Sequence, residues 1–444
     1  MRFTELREFL KFLEHKQELV HIERKVDPLY EVAAYIRKTS DRQGPALLFD
    51  NVTGSEMRVV GGLFATKHRL LLALGASDHR SAVEKLVESM ADPIAPTVVP
   101  NGVCREVCYT GSDVDLTRLP VLTSSAKDAG PFITMGLAIS KDPETGRRNL
   151  GLYRLQVKSR NRLGIMAQQL SIQLSRAEAR GEGLPVAIAL GTSPELLIGS
   201  QWKAPYGVDE LGLAGRLFGR PVELTKATTV DLEVPAHAEI IIEGIVLPNQ
   251  RESEGPFGEF SGYYQPPSSK PVIEVTAITH RKNPIYLAGL TGMPTTENHV
   301  LKQIPLEATF LNALRKQFCG VQSVHFPYCG GAGYLLVVSM KKTREYEPRN
   351  VIATALGMAG PKYVIVVDED IDIYDLEKVL WAVCTRSQPD RDALILSQIN
   401  GAPLDPSARA PHCTGAMGID ATVPKDGPFP EMVTIPGLEN VPDF

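Results

Sequence analysis

The chain has 444 residues, of which 43% are apolar and 22% are charged, the composition of an ordinary globular protein. It carries 47 Lys and Arg against 52 Asp and Glu, a net charge of −5. This balance argues against nucleic acid as the main partner, because phosphate binding relies on a basic surface. No apolar run reaches the ~18 residues of a membrane span, so we expect none.

Six cysteines are spread along the chain, and none forms a CxxC pair. Cys104 and Cys108 lie four residues apart, but no second pair with the spacing of a zinc site follows them. Scattered thiols of this kind are typical of a reducing compartment. We therefore predict free cysteines and a cytoplasmic location.

The first hundred residues predict a small α/β unit. Residues 4–15 place their apolar side chains on one stripe of a helix. A second helix is expected to begin at Asp27-Pro28, and a third at Ser81, which opens a capping-box pattern. Residues 45–49 form an apolar run that predicts a strand between these helices.

The middle third changes character, because segments rich in Val and Ile alternate with Gly/Pro stretches and helices are few. This pattern predicts a strand-rich domain of the barrel type. The predicted strands are residues 186–190, 238–245, 272–279 and 285–289, and the predicted helix is residues 165–180.

The last third alternates between helices and apolar strands, which predicts an α/β domain with a layered sheet. Beyond residue 403, frequent Pro and Gly predict irregular structure. The predicted helices are residues 296–318, 350–358 and 376–385, and the predicted strands are residues 334–340 and 363–367. We therefore predict three domains, at residues 1–110, 111–300 and 301–444.

The most informative segment, residues 252–264, holds three carboxylates and three glycines in one short loop. Glu254 and Glu259 are too far apart for one helical face, but a Pro-Gly turn can bring them to one point. Of two neighbouring carboxyl groups, one keeps its proton more readily and can donate it near neutral pH. A solvated acidic turn is the alternative, which the aromatic residues of the loop argue against.

Residues 149–156 predict a strand that carries Arg154. A guanidinium inside a strand-rich core needs an anionic partner, because an unpaired buried charge is very costly. The candidate partners are Glu254, Glu259 or the carboxylate of a substrate. An edge-strand Arg that pairs at the surface is the alternative, and this segment alone does not decide between them.

Two further signals are weaker. Ser200 and Glu210 flank a loop whose oxygen ligands would suit Mg²⁺, Mn²⁺ or an alkali ion, although a capped helix start explains them more simply. His299 lies near a predicted helix start, where a capping or packing role is favoured over contact with a ligand. The sequence has no GxGxxG and no GxxxxGK[ST] motif, which disfavours nicotinamide and P-loop binding.

Taken together and in order, several stretches resemble the UbiD family, the decarboxylases that use prenylated FMN. The similarity extends from about residue 4 to residue 423. The stretches are NLGLYR (149–154), VPAHAEIIIEG (234–244), EGPFGE (254–259), VDEDID (367–372) and GIDAT (418–422).

The resemblance implies a multidomain α/β fold: an N-terminal α/β unit, a central split β-barrel that binds the flavin, and a C-terminal α/β dimerisation domain. It implies prenylated FMN, held through its phosphate by Mn²⁺ or Mg²⁺, with K⁺ nearby. Arg154, Glu254 and Glu259 match the family's catalytic network. The residues expected to bind the cofactor or its ion are Asn149, Leu152, Tyr153, Arg154, Gln168, Gln169, Ser200, Glu210 and Lys362.

One position departs from the family pattern. Asn149 and Glu210 match two metal ligands, whereas the third is usually a His shortly after the Arg. This chain has no His there, and Gln168, Gln169 or Ser171 would supply an oxygen instead. We predict Gln169 as the third ligand; an amide oxygen is a harder ligand than imidazole.

The resemblance implies reversible, non-oxidative decarboxylation of an aromatic, heteroaromatic or α,β-unsaturated carboxylic acid through a covalent prenylated-FMN adduct. Glu259 is the expected proton donor and CO₂ the second product. The implied partners are the small-molecule acid, a flavin prenyltransferase that supplies the cofactor, and further copies of the chain in a homodimer or homohexamer. The alternatives are an ordinary FMN-binding oxidoreductase and a non-catalytic flavin-binding protein.

Overall fold

The computed structural model describes residues 3–166, 170–203, 208–358, 360–402, 404–410, 412–437 and 440–442. These residues build a four-stranded sheet near the N-terminus, a central β-barrel and a five-stranded sheet towards the C-terminus. The predicted multidomain α/β architecture with a central barrel is therefore confirmed. Among the described helices, none is both long and apolar enough to cross a bilayer.

The predicted helices of the N-terminal unit are confirmed, but two of them begin at residues other than those predicted. The second helix does not begin at Asp27. It begins after Tyr30, whose positive φ of 67° is not helical. Another is capped by Asp78, whose Oδ1 accepts a 2.8 Å hydrogen bond from the Ser81 N–H, so that Ser81 is the third residue of the helix and closes the capping box. The elements are α1 (Leu6–His15), β1 (Leu19–Ile22), α2 (Glu31–Asp41), β2 (Ala46–Phe49), β3 (Arg58–Gly61), α3 (Lys67–Leu74) and α4 (His79–Ala91).

The central part supplies the barrel and the helices that cover it. Its elements are β4 (Thr97–Val98), β5 (Val107–Thr110), β6 (Phe132–Lys141), β7 (Arg148–Ser159), β8 (Arg162–Ile165), α5 (Leu170–Ala179), β9 (Leu184–Leu190), α6 (Pro194–Gly199), α7 (Glu210–Phe218), β10 (Glu223–Lys226), β11 (Glu233–Pro235), β12 (Ile240–Glu254), β13 (Phe257–Gly258), β14 (Tyr264–Gln265), β15 (Ser268–His280) and β16 (Ile285–Leu287).

Six antiparallel strands close the barrel in the order β12-β9-β6-β7-β8-β15, and pairing of β12 with β15 completes it. Strand β5 adds to the outside of β15, and β16 leaves the barrel to pair in parallel with β3 of the N-terminal sheet. Ile188 and Ile240 lie in one apolar cluster, whereas their neighbours Ala187 and Ile241 lie in another. Both faces of these strands are therefore buried, which explains their continuous apolar sequences.

The C-terminal part holds the five-stranded sheet, in the order β17-β18-β19-β21-β20. Its elements are α8 (Glu297–Arg315), β17 (Val321–His325), β18 (Leu335–Met340), α9 (Glu347–Gly357), β19 (Tyr363–Asp368), α10 (Leu376–Arg386), α11 (Pro389–Asp392), β20 (Ala393–Asn400) and β21 (Cys413–Ala421).

The prediction that no regular structure follows residue 403 is wrong, because β21 lies inside this sheet, between β19 and β20. The glycines of this strand were interpreted in the sequence as a sign of irregular structure. At Gly418 a Cβ would come 2.0 Å from a methyl group of Ile352 on α9, so the glycine allows the helix to pack closely on the strand. The glycine here serves packing and does not interrupt the strand.

Glu195 on α6 is a buried carboxyl group, and its replacement by Gln is our first prediction. Burial raises the pKa of Glu195 to about 7, and its Oε1 accepts a 2.9 Å hydrogen bond from the Phe3 N–H. Because the unfolded chain loses this proton near the ordinary Glu pKa, the free energy of unfolding falls as the pH rises from about 4.5 to 7. Glu195→Gln removes the ionisation and should stabilise the protein by about 1–3 kcal/mol at pH 8.

The measurement is the urea midpoint of both proteins at pH 8 and at pH 5, where the gain should fall below about 1 kcal/mol because pH 5 is close to the pKa of the unfolded carboxyl. Glu84→Gln is the matched control, because the Glu84 side chain is 34% exposed and pairs with Arg315. Equal effects of Glu195→Gln at the two pH values would contradict the assignment.

Candidate active site

Two barrel strands and a neighbouring hairpin bring Arg154 and two carboxylates together. Arg154 lies on β7, Glu254 ends β12, and Glu259 lies in the turn of the β13–β14 hairpin. Arg154 donates from Nε and Nη2 to the two oxygens of Glu254, at 2.9 Å each, and from Nη1 to Oε1 of Glu259. The exposed fractions of the three side chains are 8%, 0% and 8%. The predicted convergence is thus present, and Arg154 is a buried residue with two partners.

The two carboxylates are held differently. Both oxygens of Glu254 are engaged by Arg154, which fixes this pair in a bidentate geometry. Glu259 gives one oxygen to Arg154, and its other oxygen accepts a 3.2 Å hydrogen bond from the Phe260 N–H. Burial opposes the charge on Arg154, but the hydrogen bonds and charges of the two Glu raise the pKa of Arg154 above its usual value. Glu259 is therefore the carboxyl group that is freer to exchange partners.

The loop between Glu254 and Glu259 is fixed by hydrogen bonds to Gln156 on β7 and to a third acidic residue, Asp128. The N–H of Gly255, a residue with φ of +92°, donates to Oε1 of Gln156 at 3.2 Å. The N–H of Gly258 donates to Oδ1 of Asp128 at 2.9 Å. Burial raises the pKa of Asp128. These bonds hold the segment between Glu254 and Glu259 in place.

Aromatic rings cover the cluster, and the C-terminal part contributes to them. The Arg154 guanidinium lies 4.9 Å from the ring centroid of Phe257. Phe260 stacks on Tyr334 at 5.4 Å, and the Lys302 Nζ lies 3.5 Å from the Phe260 ring centroid. Neither Phe260 nor Tyr334 was predicted as a site residue, because only tertiary packing brings Tyr334 to the acidic loop.

His299 confirms the favoured capping role and also touches the loop. Its Nδ1 joins the capping box of Thr296 at the start of α8, and its Nε2 lies 2.7 Å from the carbonyl oxygen of Phe260. Burial, helped by the charge of Lys302, lowers the pKa of His299 to about 4. A neutral imidazole that donates to this carbonyl positions the residue next to Glu259.

A second polar group lies beside the first half of β7. Glu210, the first residue of α7, accepts a 3.1 Å hydrogen bond from the Leu150 N–H, and burial raises the pKa of Glu210 to about 7. Asn149 is buried, and its side-chain nitrogen has no partner among the described residues. Burial raises the pKa of the nearby Tyr153 hydroxyl. The desolvated carboxylate of Glu210 and the amide oxygen of Asn149 are ligand types that suit a hard cation.

The other predicted binding residues fall in different places. Leu152 packs against the core from β7, and Ser200 ends α6 with its Oγ donating to the Leu197 carbonyl at 2.7 Å. Lys362 forms an ion pair of 2.9 Å with Asp405, so its contact with a phosphate stays a prediction. Gln168 and Gln169 lie outside the described residues.

Models of three domains of one family match the chain in order. Residues 10–90 match the N-terminal domain, 97–294 the Rift-related domain and 299–421 the C-terminal domain of 3-octaprenyl-4-hydroxybenzoate carboxy-lyase, UbiD. The chain belongs to the UbiD family. The resemblance inferred from the sequence is thereby confirmed.

Solved structures of UbiD enzymes are similar over the whole chain. HmfF of Pelotomaculum thermopropionicum with FMN is 40% identical, with a TM-score of 0.91 and 99% of each chain covered. An evolved dimeric form of HmfF in complex with prenylated FMN is 38% identical, with a TM-score of 0.89 and the same coverage.

Two relatives are decarboxylases by name. Vanillic acid decarboxylase of Sedimentibacter hydroxybenzoicus, in its closed form, is 31% identical (TM-score 0.91; 99% of this chain and 98% of that one). The 3,4-dihydroxybenzoic acid decarboxylase AroY of Klebsiella pneumoniae is 32% identical (TM-score 0.86; 98% of each chain).

Proposed function

We propose that this UbiD protein is a prenylated-FMN-dependent carboxy-lyase that acts reversibly on an aromatic, heteroaromatic or α,β-unsaturated acid. The observation that carries the proposal is the buried Arg154 held between Glu254 and Glu259. Relatives that act on vanillic and 3,4-dihydroxybenzoic acid support the substrate class. Neither alternative, the ordinary FMN oxidoreductase or the non-catalytic flavin carrier, is favoured beside these relatives and this site.

The residues along β7 and α7 fit the cofactor and its ion. Asn149 and Glu210 offer an amide oxygen and a carboxylate, the ligand types that Mn²⁺ or Mg²⁺ takes, and burial leaves the Glu210 carboxylate desolvated. We assign the third position to Gln169, and K⁺ to the same neighbourhood. Leu152, Tyr153 and Ser200 would border the flavin. When bound, prenylated FMN supplies the electron sink that carbanion chemistry needs and side chains lack.

The chain's own residues would bind the acid and move one proton. Arg154 can exchange Glu259 for the substrate carboxylate, because its contact with Glu259 is monodentate whereas Glu254 stays bidentate. Without its cationic partner, Glu259 would take up a proton from water. After CO₂ leaves, Glu259 would donate that proton to the carbon that carried the carboxyl group, and solvent would restore it. Glu254 keeps Arg154 oriented throughout.

Lys302 gives this proposal a pH-dependent test. The Lys302 amine lies over the ring of Phe260. Desolvation, helped by the charge of Lys203, lowers the pKa of Lys302 to about 7, while the charge of Glu259 opposes this shift. A protonated Lys302 would attract an anionic acid, so Lys302→Gln should raise KM about 5–10-fold at pH 6, equivalent to about 1–1.4 kcal/mol. At pH 8 the wild-type amine is mostly neutral and the difference should shrink.

The check is KM for one aromatic acid at both pH values. Lys341→Gln removes an amine whose side chain is 70% exposed and is the matched control. An effect of Lys302→Gln that is larger at pH 8 than at pH 6 would reject the electrostatic role.

The proposed function is tested by co-expression with a flavin prenyltransferase, the partner that we propose as cofactor supplier. We expect a bound cofactor with the mass of prenylated FMN and a divalent ion, and CO₂ release from a panel of aromatic acids. Purified protein that binds only FMN and oxidises NAD(P)H would reject it. Light scattering would decide between the homodimer and homohexamer that we propose.

The domain boundaries at residues 110 and 300, and the cytoplasmic location, stay predictions of the sequence. Limited proteolysis of the purified protein would test the boundaries. Because residue 300 lies inside α8, cleavage is expected near residue 110 and in the segment between β16 and α8.

A further inference from the structure

A second cluster of titratable side chains lies away from Arg154, where three elements of the fold meet. His79 begins α4, Glu307 lies in the middle of α8, and His325 ends β17. Their exposed fractions are 7%, 0% and 6%. None of the three takes part in the chemistry proposed above.

One ligand atom from each of these residues lies within 4.8 Å of the others. The His325 Nδ1 is 2.8 Å from Oε1 of Glu307, and the His79 Nε2 contacts Oε2 of the same carboxylate. Both imidazoles therefore direct a nitrogen at one carboxylate. The Phe326 N–H also donates to Oε1 at 2.8 Å, which fixes the orientation of that carboxylate.

The relative placement of the two imidazoles suits one tetrahedral ion. Two rings that bind Zn²⁺ through nitrogen at ~2.05 Å and at the tetrahedral angle have centroids about 5.2 Å apart. The rings of His79 and His325 have centroids 5.4 Å apart and planes at 88°. Two imidazoles and one carboxylate are a donor set that Zn²⁺ takes with water in the fourth position.

Buried polar atoms at the cluster lack partners. The His79 Nδ1 and the Tyr328 hydroxyl are buried, and neither has a hydrogen-bond partner among the described residues. Glu307 is the one carboxylate of the cluster, and its side chain is fully buried. A cation at the meeting point of the three ligands would balance the charge of this carboxylate.

We propose that His79, Glu307 and His325 bind one divalent transition-metal ion of the Zn²⁺ type, separate from the ion of the flavin site. The ion would link the N-terminal helix α4 to α8 and β17 of the C-terminal part. Its nitrogen-rich ligands distinguish it from the oxygen ligands Asn149 and Glu210. The role that follows is structural, because the cluster is buried and the proposed chemistry does not use it.

The test uses Co²⁺ as the probe, because tetrahedral Co²⁺ absorbs visible light far more strongly than octahedral Co²⁺. Chelator-treated full-length protein, expressed without a flavin prenyltransferase, is titrated with Co²⁺ and then with Zn²⁺. We expect about one tetrahedral Co²⁺ per chain, displaced by Zn²⁺. Glu307→Gln and His325→Asn should lose this absorption.

Two control variants separate this site from others. Glu210→Gln, which removes a ligand of the flavin-site ion, should keep the tetrahedral absorption. His237→Gln should also keep it, since His237 forms a more exposed pair with Glu223 at 2.8 Å. If Glu307→Gln does not fold, the wild-type titration still decides.

Absence of a tetrahedral band in the wild-type protein would overturn the proposal and leave a hydrogen-bonded cluster of these three side chains. Loss of the band in Glu210→Gln alone would also overturn it, because the ion would then belong to the flavin site. Both absorption measurements are independent of decarboxylase activity.

Discussion

Replacing Glu259 by Gln should lower the rate of CO₂ release by about 10²–10⁴-fold, the range typical of a lost general acid or base. The amide keeps the size of the side chain and can still accept from Arg154, but it cannot donate an acidic proton to carbon. Cofactor binding should be unchanged, because the flavin contacts assigned above do not include Glu259. The measurement is CO₂ release under saturating acid, with the absorption spectrum of the bound cofactor recorded on the same sample.

The matched control for Glu259→Gln is Glu252→Gln. Glu252 lies in the same acidic segment, but its side chain is 38% exposed and pairs with Arg162 at 3.1 Å. This variant should keep nearly full activity. Full activity of Glu259→Gln would refute the proton-donor role, and loss of cofactor from that variant would mean that Glu259 supports the flavin site instead.

The residues alone left the partner of Arg154 open, because a buried guanidinium requires an anion but Glu254 and Glu259 lie at least 100 residues away in the sequence. The resemblance to the UbiD family selected these two Glu. A strand-rich domain of the barrel type was predicted from Val- and Ile-rich runs, and the structure adds that the barrel is closed and its strands are buried on both faces. Residues that act locally, such as His299 at the start of α8, were also predictable, because capping depends on neighbours three residues away.

Features that depend on contacts between distant segments could not be predicted. His79 and Glu307 are 228 residues apart, and each alone is typical of an ordinary buried polar residue. Tyr334 reaches Phe260 only because the C-terminal sheet packs against the hairpin. In β21 the glycines were taken for breakers, since the close approach of α9 that requires them is visible only in the folded chain.

Replacing Arg154 by Met should destabilise the protein by about 3–5 kcal/mol, the cost typical of breaking a buried ion pair by removing one partner. Glu254 is fully buried and would lose both bonds to its cation. Arg162→Met is the control, because Arg162 and Glu252 form a pair whose side chains are about 40% exposed. Loss of such a surface pair should cost less than about 1 kcal/mol. The measurement is the shift of the urea unfolding midpoint.

A double variant separates the buried charge from the lost packing of Arg154. In Arg154→Met/Glu254→Gln the carboxylate that loses its partner is itself neutralised, so much of the stability should return. Activity should not return, because no cation remains to bind the substrate carboxylate. Recovery of stability without activity would assign Arg154 to substrate binding. Recovery of both would mean that the pair serves only the fold, and that the acid is bound elsewhere.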